Sequence, residues 1–238
     1  MTALLPLSLI PAILQAKESA AEMIKVEKYP LGELEANCFF VSDEENGCSF
    51  VVDPGDKSEQ VVNKIKSFGS EKLRYILLTH GHFDHIGFAS GLKKRFPDAK
   101  LVIGEKDNSF TQNDSLNLSL FFGGGCERFD ADITVNEGDL LPFGNDQIRI
   151  LSTPGHTEGS VCFLIGENLF TGDTLMSLSC GRTDFPTGSR EQMMDSLKKI
   201  YEIEGDPYVY CGHGQNTRLE YERKNNPVMR AALHEHLY

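Results

Sequence analysis

Three histidines and an aspartate fall within six positions of this 238-residue chain, in the run Thr79-His80-Gly81-His82-Phe83-Asp84-His85-Ile86-Gly87. The apolar stretch Tyr75-Ile76-Leu77-Leu78 stands directly before it and reads as a short buried strand. Gly81 loosens the backbone after that strand, so His80 and His82 can bend toward one point. Gly87 precedes a helical stretch from Phe88 to Phe96. The pattern H-x-H-x-D-H therefore occupies a strand-to-helix loop, where open α/β sheets place their ligands. Neutral imidazole and carboxylate are the donors that zinc and similar metals prefer. Four such groups this close would repel and desolvate one another without a cation, which disfavours a merely polar loop.

One loop cannot complete a metal site, and three other segments share its construction. Pro154-Gly155-His156-Thr157 follows the strand-like Gln147 to Leu151. Thr171-Gly172-Asp173-Thr174 follows Leu169-Phe170, and Cys211-Gly212-His213-Gly214 follows Tyr208-Val209-Tyr210. Each is a short β-like run, a glycine and one metal-competent side chain. A lone histidine after a strand is more often structural. Jointly, however, these segments place five of the seven histidines and two aspartates at strand ends. His234 and His236 lie near the C-terminus and read as solvated surface residues.

The order H-x-H-x-D-H, His, Asp, His resembles the signature of the metallo-β-lactamase fold, from about Ile24 to Met229. Within that fold the chain looks most like the glyoxalase II (hydroxyacylglutathione hydrolase) branch. The resemblance implies two divalent metal ions, zinc first, with iron and manganese as alternatives. It implies that His80, His82 and His156 hold one ion and that Asp84, His85 and His213 hold the other. Asp173 and a water or hydroxide would bridge them. A water shared by two cations becomes a nucleophile near pH 7. The implied reaction is hydrolysis of a thioester or related acyl substrate by that bridging hydroxide, oriented by Asp84. Arg182, after Cys180-Gly181, matches a basic residue that contacts glutathione in glyoxalase II; the alternative is a surface arginine paired with Asp184.

Three departures weaken the case for glutathione thioesters. Asp184 and Gln215 stand where tyrosines are expected, and a C-terminal helical extension does not follow, as in the short forms of the branch. The stretch Gly181 to Asp184 is also similar to persulfide dioxygenases, which use one iron. That oxidation of glutathione persulfide is the competing reading.

The formal charge of −12 and a pI near 5.0 argue against nucleic-acid binding and against anionic membrane surfaces. The expected partner is a small-molecule thioester. The six cysteines form no C-x-x-C pair and several sit in apolar runs, which favours reduced thiols and a cytoplasmic location. Residues 1–22 form an extension of uncertain role. Its apolar part, Leu4 to Leu14, is too short to span a bilayer and has no basic residue before it, and it offers a route to a homo-oligomer.

Strand-like runs at Ile24 to Lys28, Asn37 to Val41, Ser49 to Val52, Tyr75 to Leu78 and Lys100 to Ile103 alternate with helices at Ser58 to Phe68 and Phe88 to Phe96. A second half with strands near Ile133, Ile148, Val161, Leu169 and Tyr208, and a helix from Arg190 to Tyr201, repeats the theme. The fold class expected is α/β (α+β), a four-layer αββα metallo-β-lactamase sandwich forming one domain over 23–238. The segment from Glu105 to Phe129 reads as a helix and turn packed on the core, with a mobile flap as the alternative.

Overall fold

A computed structural model describes residues 24–122 and 125–234. The N-terminal extension, His236 and the pair Gly123-Gly124 lie outside the described residues.

Two six-stranded sheets follow one another along the chain. The first contains β1 (Ile24–Leu31), β2 (Ala36–Asp43), β3 (Cys48–Val52), β4 (Leu73–Leu78), β5 (Lys100–Gly104) and β6 (Ile133–Val135), paired in chain order. Its first three strands are antiparallel, and β3 to β6 run parallel. The crossovers carry α1 (Glu59–Phe68), then α2 (Phe83–Ile86) and α3 (Ala89–Arg95). The second sheet contains β7 (Leu140–Phe143), β8 (Asp146–Ser152), β9 (Val161–Ile165), β10 (Asn168–Gly172), β11 (Tyr208–Cys211) and β12 (Thr217–Arg218). It is mainly antiparallel. Its one parallel pair, β10 with β11, is joined through α4 (Arg190–Tyr201). The second half therefore departs from the expected repetition of βαβ units. Its strands β7 to β9 are short hairpin neighbours, and hairpins need no helix between them. The chain ends in α5 (Leu219–Asn225) and α6 (Pro227–Ala232).

The four layers follow from the two-residue period of the strands. In β2, Cys38 and Phe40 point to the helices α1 and α3, while Phe39 and Val41 point to the other sheet. In β4, Ile76 and Leu78 take the helix side and Leu77 the intersheet side. In β10, Phe170 faces the first sheet and Leu169 packs under α4 with Met193, Leu197 and Ile200. Strands buried on both faces read as continuous apolar runs rather than alternating ones. The helices carry their own boundaries: Ser58 and Ser189 accept from the backbone N–H of Val61 and Gln192, and Asn226 caps α6 from the residue before Pro227. The intersheet layer is aromatic. Phe170 meets Phe39 and Phe50 edge-on at 5.6 and 5.8 Å and stacks on Tyr210 at 4.8 Å.

The segment after β5 forms a 3-10 turn over Glu105–Gln112 and a second over Ser119–Phe121. Phe110 is fully buried in it, as a packed turn requires. Asp107, on the same turn, joins the two halves of the chain. One carboxylate oxygen accepts from Gly81 N at 2.8 Å and Thr157 Oγ1 at 2.7 Å, and the other from Gly159 N at 2.8 Å. Burial pushes this carboxyl up to about 6, although those three donors pull the other way.

Two outcomes are expected. Phe170→Ala removes a ring packed from both sheets and lowers stability by about 3–5 kcal/mol in chemical denaturation. Asp107 keeps its proton in the folded chain up to about pH 6 but loses it near 3.8 when unfolded. The folded state therefore binds the extra proton in that window, and stability falls as pH rises through it. Denaturation curves from pH 4 to 7 are expected to show that decline in the native chain relative to Asp107→Asn; a constant difference between the two would refute the assignment.

Candidate metal centre

The ligand-bearing loops all leave strand ends and meet at one rim of the sandwich. His80 follows β4, and His82 precedes α2, which carries Asp84 and His85. His156 lies in the turn after β8, Asp173 directly after β10, and His213 two residues after β11. The start of β2 secures the last loop: Asn37 N donates to Gly212 O at 2.7 Å, and Asn37 Nδ2 to Cys211 O at 2.9 Å. Two glycines are required by this closeness. Gly172 has φ +48°, and a Cβ there would come within 2.3 Å of Thr79 Oγ1; at Gly212 a Cβ would stand 2.1 Å from Asp173 Oδ1.

All seven side chains singled out by the motif converge. His80, His82 and His156 place one donor atom each within 4.8 Å of one another, as do Asp84, His85 and His213, and also His80, His85 and Asp173. His82 Nδ1 is 2.9 Å from His156 Nε2, and His85 Nε2 is 3.3 Å from His213 Nε2. Asp173 stands between the groups, 3.5 Å from His156 Nε2, 3.6 Å from His85 Nε2 and 3.7 Å from His213 Nε2. Asp84 Oδ2 lies 3.3 Å from His213 Nε2.

Groups behind the cluster set which nitrogen of each ring faces in. His156 Nδ1 donates to Arg182 O at 2.7 Å, and His213 Nδ1 to Leu34 O at 3.1 Å. His85 Nδ1 donates to Asp53 Oδ2 at 2.9 Å. His80 Nδ1 donates to Thr79 Oγ1 at 3.1 Å, and that hydroxyl donates onward to Asp53 Oδ2 at 2.6 Å. Four rings therefore turn Nε2 inward, and His82 alone turns Nδ1 inward. Such outer partners fix the tautomer and orientation of metal-binding histidines.

The electrostatics divide the cluster. Burial, reinforced by neighbouring imidazoles, drives His80 far down and His82 to about 3, so both are neutral lone-pair donors near pH 7. Burial also works against charge on His85, but Asp84, Asp53 and Asp173 outweigh it and raise that ring to about 10. His213 is likewise raised against burial by Asp84 and Asp173, and Asp84 is lowered against burial by His85 and His213. Among the described residues, four buried side-chain polar atoms have no hydrogen-bond partner, and three belong to this cluster: His80 Nε2, His82 Nε2 and Asp173 Oδ1. Buried polar atoms are ordinarily paired, so the inward-facing His80 Nε2 and Asp173 Oδ1, which have no partner, fit divalent cations.

Arg182 lines the cleft beside the cluster but is itself exposed. Its guanidinium grips Asp184 with two bonds of 2.6 and 2.7 Å and lies 4.0 Å above the Phe185 ring. Its backbone carbonyl, rather than its charge, contacts the metal site. His234 is exposed and takes no part. The six cysteines are unpaired, and burial raises Cys162 and Cys211 to about 12. Two contributors escape a sequence reading. Asp53 looks like an ordinary turn residue in Asp53-Pro54-Gly55, although it also follows a strand end, which is the signal shared by the ligands. Asp107 carries no local signal at all.

No helix among the described residues is long and apolar enough to cross a membrane. Residues 31–213 match the family described as the metallo-beta-lactamase superfamily. The hydroxyacylglutathione hydrolase GloC of Haemophilus influenzae is 32% identical over 210 residues, covering 87% of this chain and 98% of that protein. Among solved structures, the BLEG-1 B3 metallo-beta-lactamase superposes with a TM-score of 0.80 at 28% identity, covering 86% of this chain and 99% of the other. The protein TTHA1623, solved in a di-iron-bound form, gives 0.74 at 29% identity, covering 85% and 99%. With its strand-end donors gathered at one rim of an αββα sandwich, this chain belongs to the metallo-β-lactamase superfamily and fits its glyoxalase II-like branch.

Proposed function

We propose that this protein is a dinuclear metallohydrolase that cleaves thioesters or closely related acyl substrates. The observation that carries the reading is the pair of donor groups on either side of Asp173. His80, His82 and His156 would hold one divalent ion, and Asp84, His85 and His213 the other, with Asp173 reaching both. Zinc suits this nitrogen and oxygen donor set, and iron and manganese also do. Bound there, the ions supply Lewis acidity toward an acyl oxygen and make a water nucleophilic near neutral pH.

The chain's own groups complete the chemistry. Asp84 Oδ2 accepts a hydrogen bond from the attacking water and orients it. The outer partners Asp53, Thr79, Leu34 O and Arg182 O hold the imidazoles still, so little rearrangement accompanies the reaction. A thiolate leaves readily, which accounts for a cleft wall without a dedicated general acid. The relatives named hydroxyacylglutathione hydrolase support the acyl thioester class. The acidic balance and unpaired cysteines support a cytoplasmic enzyme acting on small molecules rather than on nucleic acid. The competing one-iron dioxygenase leaves the second group, Asp84, His85 and His213, without a task.

Elemental analysis of protein purified without chelator, followed by a thioester panel, tests this reading. Two metals per chain and thioester cleavage are expected; one iron with persulfide-dependent oxygen uptake would overturn it. His156→Ala and Asp173→Ala are expected to lower kcat/KM by roughly 100-fold or more, whereas His234→Ala leaves it unchanged. Near-normal turnover in Asp173→Ala contradicts the bridging role.

A further inference from the structure

We propose that the cleft beside the cluster selects its substrate by an apolar acyl chain, and not by the charges of a peptide-like thiol carrier. The inference rests on the thioester-hydrolase reading and deepens it. The cleft measures about 380 Å³ and includes His82, Asp84, His156, Asp173 and His213 in its wall. The rest of that wall is mostly Leu34, Phe83, Leu118, Phe122, Met176 and Phe185. Leu34 is 44% exposed and Phe122 55% exposed, and Leu120 and Phe121 beside Phe122 are more exposed still. An exposed apolar run bordering a cleft is the kind of patch that marks a binding site. Here two features point to the acyl chain.

The first is a fixed placement against the donor cluster. The Phe122 ring stacks on Phe83 with centroids 5.0 Å apart and planes 19° apart. Phe83 opens the helix that carries Asp84 and His85. Its backbone N–H donates to Asn117 O at 2.9 Å, and Asn117 Nδ2 donates to Phe110 O at 2.9 Å, so the ridge is tied both to that helix and to the core. Leu118 has φ +67°, a conformation leucine rarely adopts, and its side chain joins the cleft wall. Strain of this kind persists where the surroundings enforce it, and it clusters at ligand sites.

The second is charge. Among the described residues of the wall, Arg182 is the one Lys or Arg, and Asp184 already engages its guanidinium twice. An adjoining cleft shares Leu34, Phe83, Asp84 and Phe122 and adds Glu33, Asp56 and Glu127. Apart from the ions of the proposed centre, the carboxylates of a glutathione carrier therefore find little cationic surface in the described wall, whereas a hydrocarbon chain finds rings and branched side chains. In the reaction, water supplies the hydroxyl that bonds to the acyl carbon as the C–S bond breaks. The sulfur leaves with the electron pair and takes up the remaining proton, giving a fatty-type carboxylic acid and a free thiol.

The test uses metal-loaded enzyme and straight-chain thioesters from acetyl to octanoyl on N-acetylcysteamine, a small neutral thiol, with S-lactoylglutathione alongside. kcat/KM is expected to rise about three- to fourfold per methylene until the cleft is filled. Phe122→Ala and Leu34→Ala are expected to reduce the octanoyl-to-acetyl ratio by roughly tenfold each. In parallel, non-hydrolysable ketomethylene analogues of the same lengths are titrated calorimetrically into metal-free protein. Binding is expected to tighten with chain length, with a negative heat-capacity change. No dependence on chain length in either series, or a higher kcat/KM for S-lactoylglutathione than for the octanoyl ester, overturns the proposal. Failure of the loaded enzyme to cleave any thioester, with chain-dependent binding retained, overturns the hydrolase reading and leaves the apolar site standing.

Discussion

Five imidazoles and two carboxylates held within a few ångströms of one another, largely away from water, are the constraint around which the rest of this molecule is arranged. Such groups favour neither their neighbours nor the dry interior unless something positive sits among them. The fold answers in two ways. It fixes the outward nitrogen of four rings with Asp53, Thr79 and two backbone carbonyls, so that Nε2 of each faces the cluster. It also leaves His80 and His82 neutral while Asp84, Asp53 and Asp173 hold positive charge on His85. Metal ligands must be deprotonated, so uptake of cations by these donors would release protons.

Holding loops from two sheets in register requires more than their strands. Asp53 adopts φ +49°, a left-handed conformation, and from there reaches both Thr79 and His85. Asp107 draws the loop of His80 and His82 against the turn after His156. Its burial opposes ionisation, so the molecule gives up stability near neutral pH to keep those loops together. Both aspartates act through other residues, and neither lies in the ligand set.

The cleft departs from what the glyoxalase II resemblance implies at Arg182. A basic residue stands at the matching position, yet Asp184, two residues on, where a tyrosine was expected, accepts from its Nε and Nη2. The exposed guanidinium is thus paired along one edge and stacked on Phe185. The opposite wall, built on Phe83 and Phe122, is apolar. On the proposed hydrolase reading, the same cluster chemistry suits many acyl groups, and substrate choice would reside in these walls.

Much of the architecture is legible along the chain because its signals are local. The α4 boundaries and strand Tyr208–Cys211 follow from a serine cap, an apolar period and a glycine, and the structure places them at the expected residues. The candidate donor set is legible because its members stand just past strand ends, and His82, His156, Asp173 and His213 each directly follow a glycine, a construction repeated in sequence even where the members are far apart. The mainly antiparallel second sheet is not, since pairing direction depends on which strands meet and not on their composition. By itself, the sequence determined which donor-bearing segments stand past strand ends and the alternating strands and helices of the first half, and its net charge of −12 disfavours phosphate binding. Only the tertiary structure decided that Asp53 and Asp107 brace the site, that Arg182 pairs with Asp184, and that Phe122 lies over Phe83 beside the cluster. Those are contacts between side chains dozens of residues apart or across a turn, and their energies depend on burial and direction, which no linear pattern encodes.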